Sequence, residues 1–346
     1  MKTHFASHPP YKHSTSQSTA QTRGSTKRKE KEESKEKKME REDANANAAD
    51  GDKPVVCVLD ASTYVGFWIL QGLLSKGYNV HAAIQKNGER EIVEKIRDME
   101  VIEDRLVVYS VEVLDYRSIL DALKGCAAVF CCLDSSDGYS DEKNADLEVR
   151  GAINVVEACA QTESIDKIVF SSSLTAAIWK DNISSQEDVD ERSWSDPEFC
   201  RKLKLWHALS KTLSEQAAWA LAMDRMLNMV SVNSGLVLGP SVAQQNPKST
   251  LAYLKGAAQM YESGVLASVD TNFLADVHIR ALEDPSTRGR YFCFNQVVNT
   301  EEATAKVAQR LSPLISLPPR YEQGSEAFTE RLRTKKLDKL VEGTAY

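Results

Sequence analysis

The stretch Val55-Val56-Cys57-Val58-Leu59-Asp60-Ala61-Ser62-Thr63-Tyr64-Val65-Gly66 places a strand, a turn and the start of a helix in immediate succession. Its first five residues are apolar and mostly β-branched, which is typical of a buried strand. Leu70, Leu73 and Leu74 then recur at the spacing of one helix face, and Gly77 supplies a stop. A strand followed closely by a helix is half of a βαβ unit, so this stretch predicts a parallel sheet.

The same alternation continues along the chain. Further strands are predicted at residues 79–84, 106–111, 127–132, 167–172 and 229–233, with helices between them near residues 89–97, 116–123, 146–160 and 201–223. This pattern predicts an α/β fold with a doubly wound parallel sheet of the Rossmann type. Such sheets bind ligands at the carboxyl ends of their strands, where the strand order reverses, so a functional site is expected there.

The chain is predicted to have three regions. Residues 1–52 are polar and charged and lack the apolar surface that would offset the entropy of ordering, so we expect a disordered extension. Residues 53–240 are predicted to form the Rossmann domain. Residues 241–346, where strands and helices alternate less regularly, are predicted to form a smaller C-terminal substrate lobe.

Composition excludes several classes of protein. A net charge of -7 gives no electrostatic attraction to nucleic acid, and no apolar run approaches the roughly 18 residues of a membrane span. The seven cysteines lack CxxC spacing, so we expect reduced core thiols and no metal site. An odd cysteine count and no signal-peptide apolar region favour the cytosol. The alternative is import into an organelle, because no acidic residue precedes Glu30.

The turn after the first strand lies where dinucleotide-binding folds place a glycine-rich loop against pyrophosphate. Of the three glycines only Gly66 is present, and Asp60 and Thr63 stand at the other two positions. A carboxylate and added bulk there oppose the close approach of a phosphate. Taken alone, the loop is equally typical of an ordinary turn whose helix begins at a Ser62 N-cap.

Polar residues also follow a later strand and open a later helix. Ser171-Ser172-Ser173 ends the strand predicted at residues 167–172, and Trp206-His207-Ala208-Leu209-Ser210-Lys211 begins a helical segment. His207 and Lys211 are one helical turn apart and therefore share a face.

From about residue 54 to residue 278 the sequence resembles the plant cinnamoyl-CoA reductase and dihydroflavonol reductase branch of the extended short-chain dehydrogenases/reductases. It is most similar to a divergent cinnamoyl-CoA reductase-like group. The matching segments are Val55-Val56-Cys57-Val58, Val113-Leu114-Asp115-Tyr116, Arg150-Gly151-Ala152-Ile153-Asn154-Val155-Val156, Phe170-Ser171-Ser172-Ser173, Trp194-Ser195-Asp196, Lys211-Thr212-Leu213-Ser214-Glu215, Asn233-Ser234-Gly235-Leu236-Val237-Leu238-Gly239-Pro240 and Asp276-Val277-His278.

The resemblance implies an NADP(H)-dependent oxidoreductase that reduces a phenylpropanoid-type carbonyl or CoA thioester at a serine, tyrosine and lysine site. Carried over by position, Ser173 binds the substrate oxygen, His207 stands in place of the tyrosine acid, and Lys211 holds the nicotinamide ribose. Gln85 stands where an arginine usually grips the 2'-phosphate, which leaves Lys86 as the nearby cation. The remaining positions implied to contact the cofactor are Ser62, Tyr64, Val65, Gly66, Glu112 and Val113.

Two functions therefore stay open. In the first, the protein is a reductase whose partners are a nicotinamide dinucleotide and a small aromatic carbonyl, and the retained Ser173, Lys211 and Asn154 favour it. In the second, it is a catalytically silent relative that serves as a binding or scaffolding module with a protein partner. The lost loop glycines favour this alternative, as does His207 if it is a packed, hydrogen-bonded side chain. Like-charge repulsion from Lys211 would lower the pKa of the His207 imidazole.

Overall fold

The computed structural model describes residues 53–135, 138–181, 183, 187–315 and 329–342. The extension predicted at residues 1–52, with the targeting alternative, lies outside the described residues. The strands are β1 (Val55–Leu59), β2 (Asn79–Gln85), β3 (Leu106–Val111), β4 (Ala128–Cys131), β5 (Lys167–Ser173), β6 (Met229–Ser234), β7 (Leu236–Leu238), β8 (Ala267–Asp270), β9 (Gly289–Cys293) and β10 (Gln296–Val297).

Helices connect most of these strands. They are α1 (Tyr64–Ser75), α2 (Arg90–Ile102), α3 (Tyr116–Leu123), α4 (Glu142–Gln161), α5 (Thr175–Ile178), α6 (Pro197–Lys202), α7 (Trp206–Asp224), α8 (Val242–Gln245), α9 (Pro247–Tyr253), α10 (Ala257–Glu262), α11 (Thr271–Glu283), α12 (Glu301–Leu311) and α13 (Lys335–Glu342). Within the described parts of the chain, no helix is both long enough and apolar enough to cross a bilayer.

The main sheet has seven strands in the order β3-β2-β1-β4-β5-β6-β9. Every neighbouring pair in it is parallel, which confirms the predicted doubly wound α/β class. The strand order reverses between β1 and β4, and this is where such folds bind ligands. β9 also belongs to this sheet, although it lies beyond residue 240. A second sheet, β10-β8-β7, was not predicted because its strands have only two to four residues.

The two faces of the main sheet are both covered. Successive side chains of a strand point to opposite faces, so Val56 and Val58 join the core beneath α1 and α11. Cys57 and Leu59 join the core on the other face, beneath α3, α4 and α7. All seven cysteines are buried and free.

One predicted helix is divided in two. The segment predicted as a single helix at residues 201–223 forms α6 and α7, separated where Lys204 adopts a left-handed backbone with φ 54°. The periodic pattern of apolar residues continues on both sides of so short a break and therefore does not reveal it. As a result α7 begins at Trp206, and His207 and Lys211 occupy its first two turns.

The helix after β1 begins differently from the predicted Ser62 cap. The N-cap is Thr63, whose Oγ1 accepts the Gly66 N–H at 3.0 Å. The same hydroxyl lies 3.1 Å from the carbonyl oxygen of Cys132, just after β4. A Cβ atom at Gly66 would lie 2.0 Å from the Asp60 carbonyl oxygen, so only glycine fits at this position.

Candidate functional site

A small cavity lies at the carboxyl ends of β4, β5 and β6, beside the reversal of strand order. Ser173, His207 and Lys211 all line it, and Asp134 and Tyr253 are among the other lining residues. Its volume is about 60 Å³, which is room for about two water molecules. The structure thus brings together the three side chains that the resemblance assigned to catalysis.

His207 is buried and held by defined neighbours. Its Nδ1 lies 3.1 Å from the Thr175 hydroxyl, and its ring meets the rings of Tyr139 and Tyr253 edge-on at centroid distances of 4.8 and 5.9 Å. Burial, followed by the positive charge of Lys211, lowers the pKa of His207 to about 3. His207 is therefore a neutral imidazole at neutral pH and cannot serve as an imidazolium acid.

The lowered pKa of His207 predicts a loss of stability in acid. Unfolded histidine binds a proton near pH 6.5, whereas folded His207 does so only near pH 3. The stability present above pH 6.5 is therefore lost as the pH falls toward 3. Lowering the pH from 7.5 to 5 is expected to reduce the contribution of His207 to the free energy of unfolding by about 2 kcal/mol. Urea unfolding at the two pH values measures this loss.

The control for this prediction is a second histidine with the opposite shift. We expect His207→Gln to reduce the acid-induced loss, whereas His81→Gln should not, because hydrogen bonding to Cys126 raises the pKa of His81. Equal losses in the wild type and in His207→Gln would show that His207 is not a buried neutral group.

Lys211 is a buried cation with carboxylate partners. Its Nζ lies 2.9 Å from Glu148 Oε1 and donates to the carbonyl oxygen of Leu133 at 2.8 Å. Burial opposes the charged form, but Glu148 and Asp134 outweigh it and raise the pKa of Lys211. The Tyr139 hydroxyl lies 2.5 Å from Asp134 Oδ1 and 2.7 Å from Glu148 Oε2 and so joins the two carboxylates.

Sequence reasoning did not identify Glu148 or Thr175 as part of this site. Glu148 lies on the buried face of α4 together with Ala145 and Ala152. A carboxylate at an otherwise apolar helical position needs a partner, and that pattern could have signalled it. The sequence around Thr175 gives no such indication, because Thr175 and His207 come into contact only in the folded chain.

The glycine-poor turn is tightly bonded within itself. Asp60 Oδ1 accepts hydrogen bonds from the Ser62 backbone N–H at 2.7 Å and from the Ser62 hydroxyl at 2.5 Å. Asp60 Oδ2 accepts one from Gln85 Nε2 at 2.7 Å, which joins the ends of β1 and β2. Burial raises the pKa of the Asp60 carboxyl, although these hydrogen bonds oppose the shift. The Gln85 amide is therefore already engaged by the protein.

Of the other residues predicted to contact the cofactor, one lines the cavity and the others do not. Val65 lines the cavity, whereas the Tyr64 hydroxyl donates to the Pro240 carbonyl oxygen at 2.8 Å. Lys86 and Glu112 form an exposed ion pair of 2.9 Å at the ends of β2 and β3. Nearby, the Val113 carbonyl oxygen accepts a hydrogen bond from Asn154 at 2.9 Å. In the described chain, no group of three or more His, Cys, Asp or Glu side chains could hold a metal ion.

Comparisons with known proteins agree with this architecture. The profile of the NAD dependent epimerase/dehydratase family matches residues 56–271. Cinnamoyl-CoA reductase 1 of Petunia hybrida is 32% identical over 274 residues, which cover 76% of this chain and 79% of that protein. Together they confirm the resemblance seen in the sequence.

Solved structures show the same fold at lower identity. Vestitone reductase from alfalfa (Medicago sativa) superposes with a TM-score of 0.64 at 23% identity, covering 83% of this chain and 92% of that one. The yeast methylglyoxal/isovaleraldehyde reductase Gre2, solved with NADPH, gives a TM-score of 0.61 at 18% identity, with coverage of 83% and 92%.

Proposed function

This chain belongs to the NAD dependent epimerase/dehydratase family, and we propose that it binds NADPH and reduces a phenylpropanoid-type carbonyl or CoA thioester. The observation that carries the proposal is the convergence of Ser173, His207 and Lys211 on one cavity at the carboxyl ends of the strands. The sequence relationship to cinnamoyl-CoA reductase 1 supports the substrate class, and the NADPH-bound yeast reductase supports the cofactor class.

The residues at the nicotinamide end fit such a cofactor chemically. Lys211 stays cationic and reaches the cavity, so its ammonium group would hold the ribose hydroxyls. Bound dinucleotide would supply the hydride. His207 and Ser173 would meet the substrate oxygen, with His207 acting as a neutral hydrogen-bonding group, because a neutral imidazole can polarise a carbonyl.

At the adenosine end of the proposed cofactor site, one cation supports the choice of NADPH. Lys86 follows Gln85 at the end of β2 and would exchange Glu112 for the 2'-phosphate. The Lys86 and Glu112 pair is largely exposed, so water readily replaces the partner that each side chain loses when the pair separates. A preference for NADPH over NADH that is lost in Lys86→Met would support this assignment.

Binding also requires the cavity to enlarge. A volume of about 60 Å³ is well below the roughly 300 Å³ or more of typical small-molecule sites. Tyr253 and Ser249 of α9 form one wall of the cavity, so their helix would have to move away as ligands enter.

The second candidate is a catalytically silent binding module. The bonded turn favours it, because Asp60 places a carboxylate where pyrophosphate would approach and Gln85 holds that carboxylate in position. In this function the small cavity and the neutral His207 belong to a protein that no longer transfers hydride.

Titration with NADPH, followed by fluorescence or calorimetry, separates the two candidates. The reductase predicts a Kd below about 100 µM, corresponding to a binding free energy of about -5.5 kcal/mol or better. Removing the ammonium group of Lys211 should weaken NADPH binding at least about 10-fold. Because Lys211→Met alone would leave a buried carboxylate unpaired, it is made together with Glu148→Gln.

The matched control is Glu148→Gln alone, which keeps the ammonium group and should still bind. Folded wild-type protein that binds no NADPH at about 1 mM, a concentration at which even a weak site of -4.1 kcal/mol would be half filled, would overturn the reductase in favour of the silent module.

A further inference from the structure

Three side chains beside the cavity form one hydrogen-bonded series. The Thr175 hydroxyl lies 3.0 Å from Ser173 Oγ and 3.1 Å from His207 Nδ1. The Thr175 backbone N–H also donates to Ser173 Oγ at 3.2 Å. All three side chains are buried, so these contacts are shielded from bulk water.

The Thr175 hydroxyl has a single proton, which restricts how the series can be arranged. If Thr175 donates to His207 Nδ1, it accepts from the Ser173 hydroxyl, and the neutral ring carries its proton on Nε2. If Thr175 donates to Ser173 instead, it accepts from Nδ1–H, and Nε2 presents only a lone pair. The direction of one threonine hydroxyl thus decides the tautomer of His207.

The other ring nitrogen of His207 is available to a ligand. Nδ1 is engaged by Thr175, while Nε2 has no hydrogen-bond partner among the residues that the structure describes. His207 lines the cavity, so Nε2 is the ring atom that a bound molecule would meet. A carbonyl oxygen only accepts hydrogen bonds and therefore selects the arrangement with Nε2–H.

We propose that Thr175 is a positioning residue that holds His207 as the neutral Nε2–H tautomer, so that the ring donates a hydrogen bond to the substrate carbonyl oxygen. This inference rests on the proposed reductase function and adds the group that stabilises the developing charge. The hydroxyls of Ser173 and Thr175 strengthen the donor, because hydrogen bonds in series polarise one another.

The reaction balances without an imidazolium. The hydride that bound dinucleotide would supply adds to the carbonyl carbon, breaks the C=O π bond and leaves its electron pair on oxygen, and the dinucleotide would be oxidised by two electrons. The Nε2–H group hydrogen-bonds this alkoxide as it forms, and a proton from water then neutralises it. One hydride and one solvent proton are added, and His207 ends the reaction in its original state.

The test reads the tautomer directly. In protein labelled with ¹⁵N-histidine, long-range ¹H–¹⁵N correlation spectra distinguish protonated from unprotonated ring nitrogens, and His207→Gln assigns the signals. At pH 7 we expect Nε2 protonated and Nδ1 unprotonated in the wild type. Thr175→Val should change the Nδ1 and Nε2 shifts, Thr175→Ser should preserve them, and Thr271→Val, which removes a buried hydroxyl that has no partner in the described structure, should leave them unchanged.

Kinetics supply the second readout. We expect kcat to fall by about 10- to 100-fold in Thr175→Val with KM nearly unchanged, and to recover in Thr175→Ser. A wild-type spectrum with an imidazolium or a protonated Nδ1 would overturn the proposal, and so would unchanged shifts in Thr175→Val. If the wild type binds no NADPH but shows the Nε2–H tautomer and loses it in Thr175→Val, the reductase function fails and the positioning role of Thr175 stands.

Discussion

Replacing both Asp60 and Thr63 by glycine is expected to tighten NADPH binding by about 30- to 100-fold, or 2 to 3 kcal/mol. The change removes a buried carboxylate from the place where pyrophosphate would approach in the proposed cofactor site, and it frees the Gly66 N–H from the Thr63 hydroxyl. Backbone N–H groups at a helix start then become available to the phosphates. Calorimetric titration of the variant and the wild type measures the difference.

Two single variants separate charge from shape. Asp60→Asn keeps the volume but removes the charge, so it should recover a large part of the gain. Ser62→Gly removes the hydroxyl hydrogen bond to Asp60 but keeps the carboxylate, so it should produce no gain. A folded double-glycine variant that binds NADPH no better than the wild type would show that this turn is not what limits the affinity.

Arg290→Met is expected to reduce the free energy of unfolding by about 3 to 5 kcal/mol, because it leaves a buried carboxylate unpaired. Arg290 Nε donates to Glu215 Oε1 at 2.8 Å, and the carboxylate of Glu215 is fully buried. Glu215 also accepts hydrogen bonds of 2.7 Å from Ser172, Ser231 and Asn233. This cluster fixes α7 against β5, β6 and β9. Urea unfolding monitored by fluorescence measures the loss.

An exposed ion pair serves as the matched comparison. Arg201 pairs with Glu142 at 2.7 Å on the surface, and Arg201→Met should cost about 1 kcal/mol or less. Adding Glu215→Gln to Arg290→Met should recover part of the loss, since no unpaired charge then remains. Similar small losses for Arg290→Met and Arg201→Met would contradict a structural role for the Glu215 cluster.

The main sheet could be predicted because its strands carry their signal locally. The run at residues 55–59 is apolar on both faces, as expected for a strand covered by helices on both sides. The small second sheet carries no comparable signal, since β10 has two residues and β7 three. The break at Lys204 was missed because the helical periodicity resumes directly after it.

The candidate site could be predicted only as far as the family resemblance extends. Ser173, His207 and Lys211 follow from matching positions, and the structure places them around one cavity. Their partners Thr175 and Glu148 come from a different helix in each case. Local sequence patterns do not encode such contacts between distant segments, so the neutral state of His207 and the ion pair of Lys211 emerge only with the fold.

The hydroxyl of Thr63 joins the turn after β1 to the carbonyl of Cys132 across the reversal of strand order. This turn is ordered by hydrogen bonds within the protein itself. Binding would therefore freeze little additional motion but would have to break contacts that already exist. A ligand without phosphate groups would leave those contacts intact. In the proposed function, these contacts would therefore lower the affinity for a ligand with phosphate groups relative to that for a ligand without them.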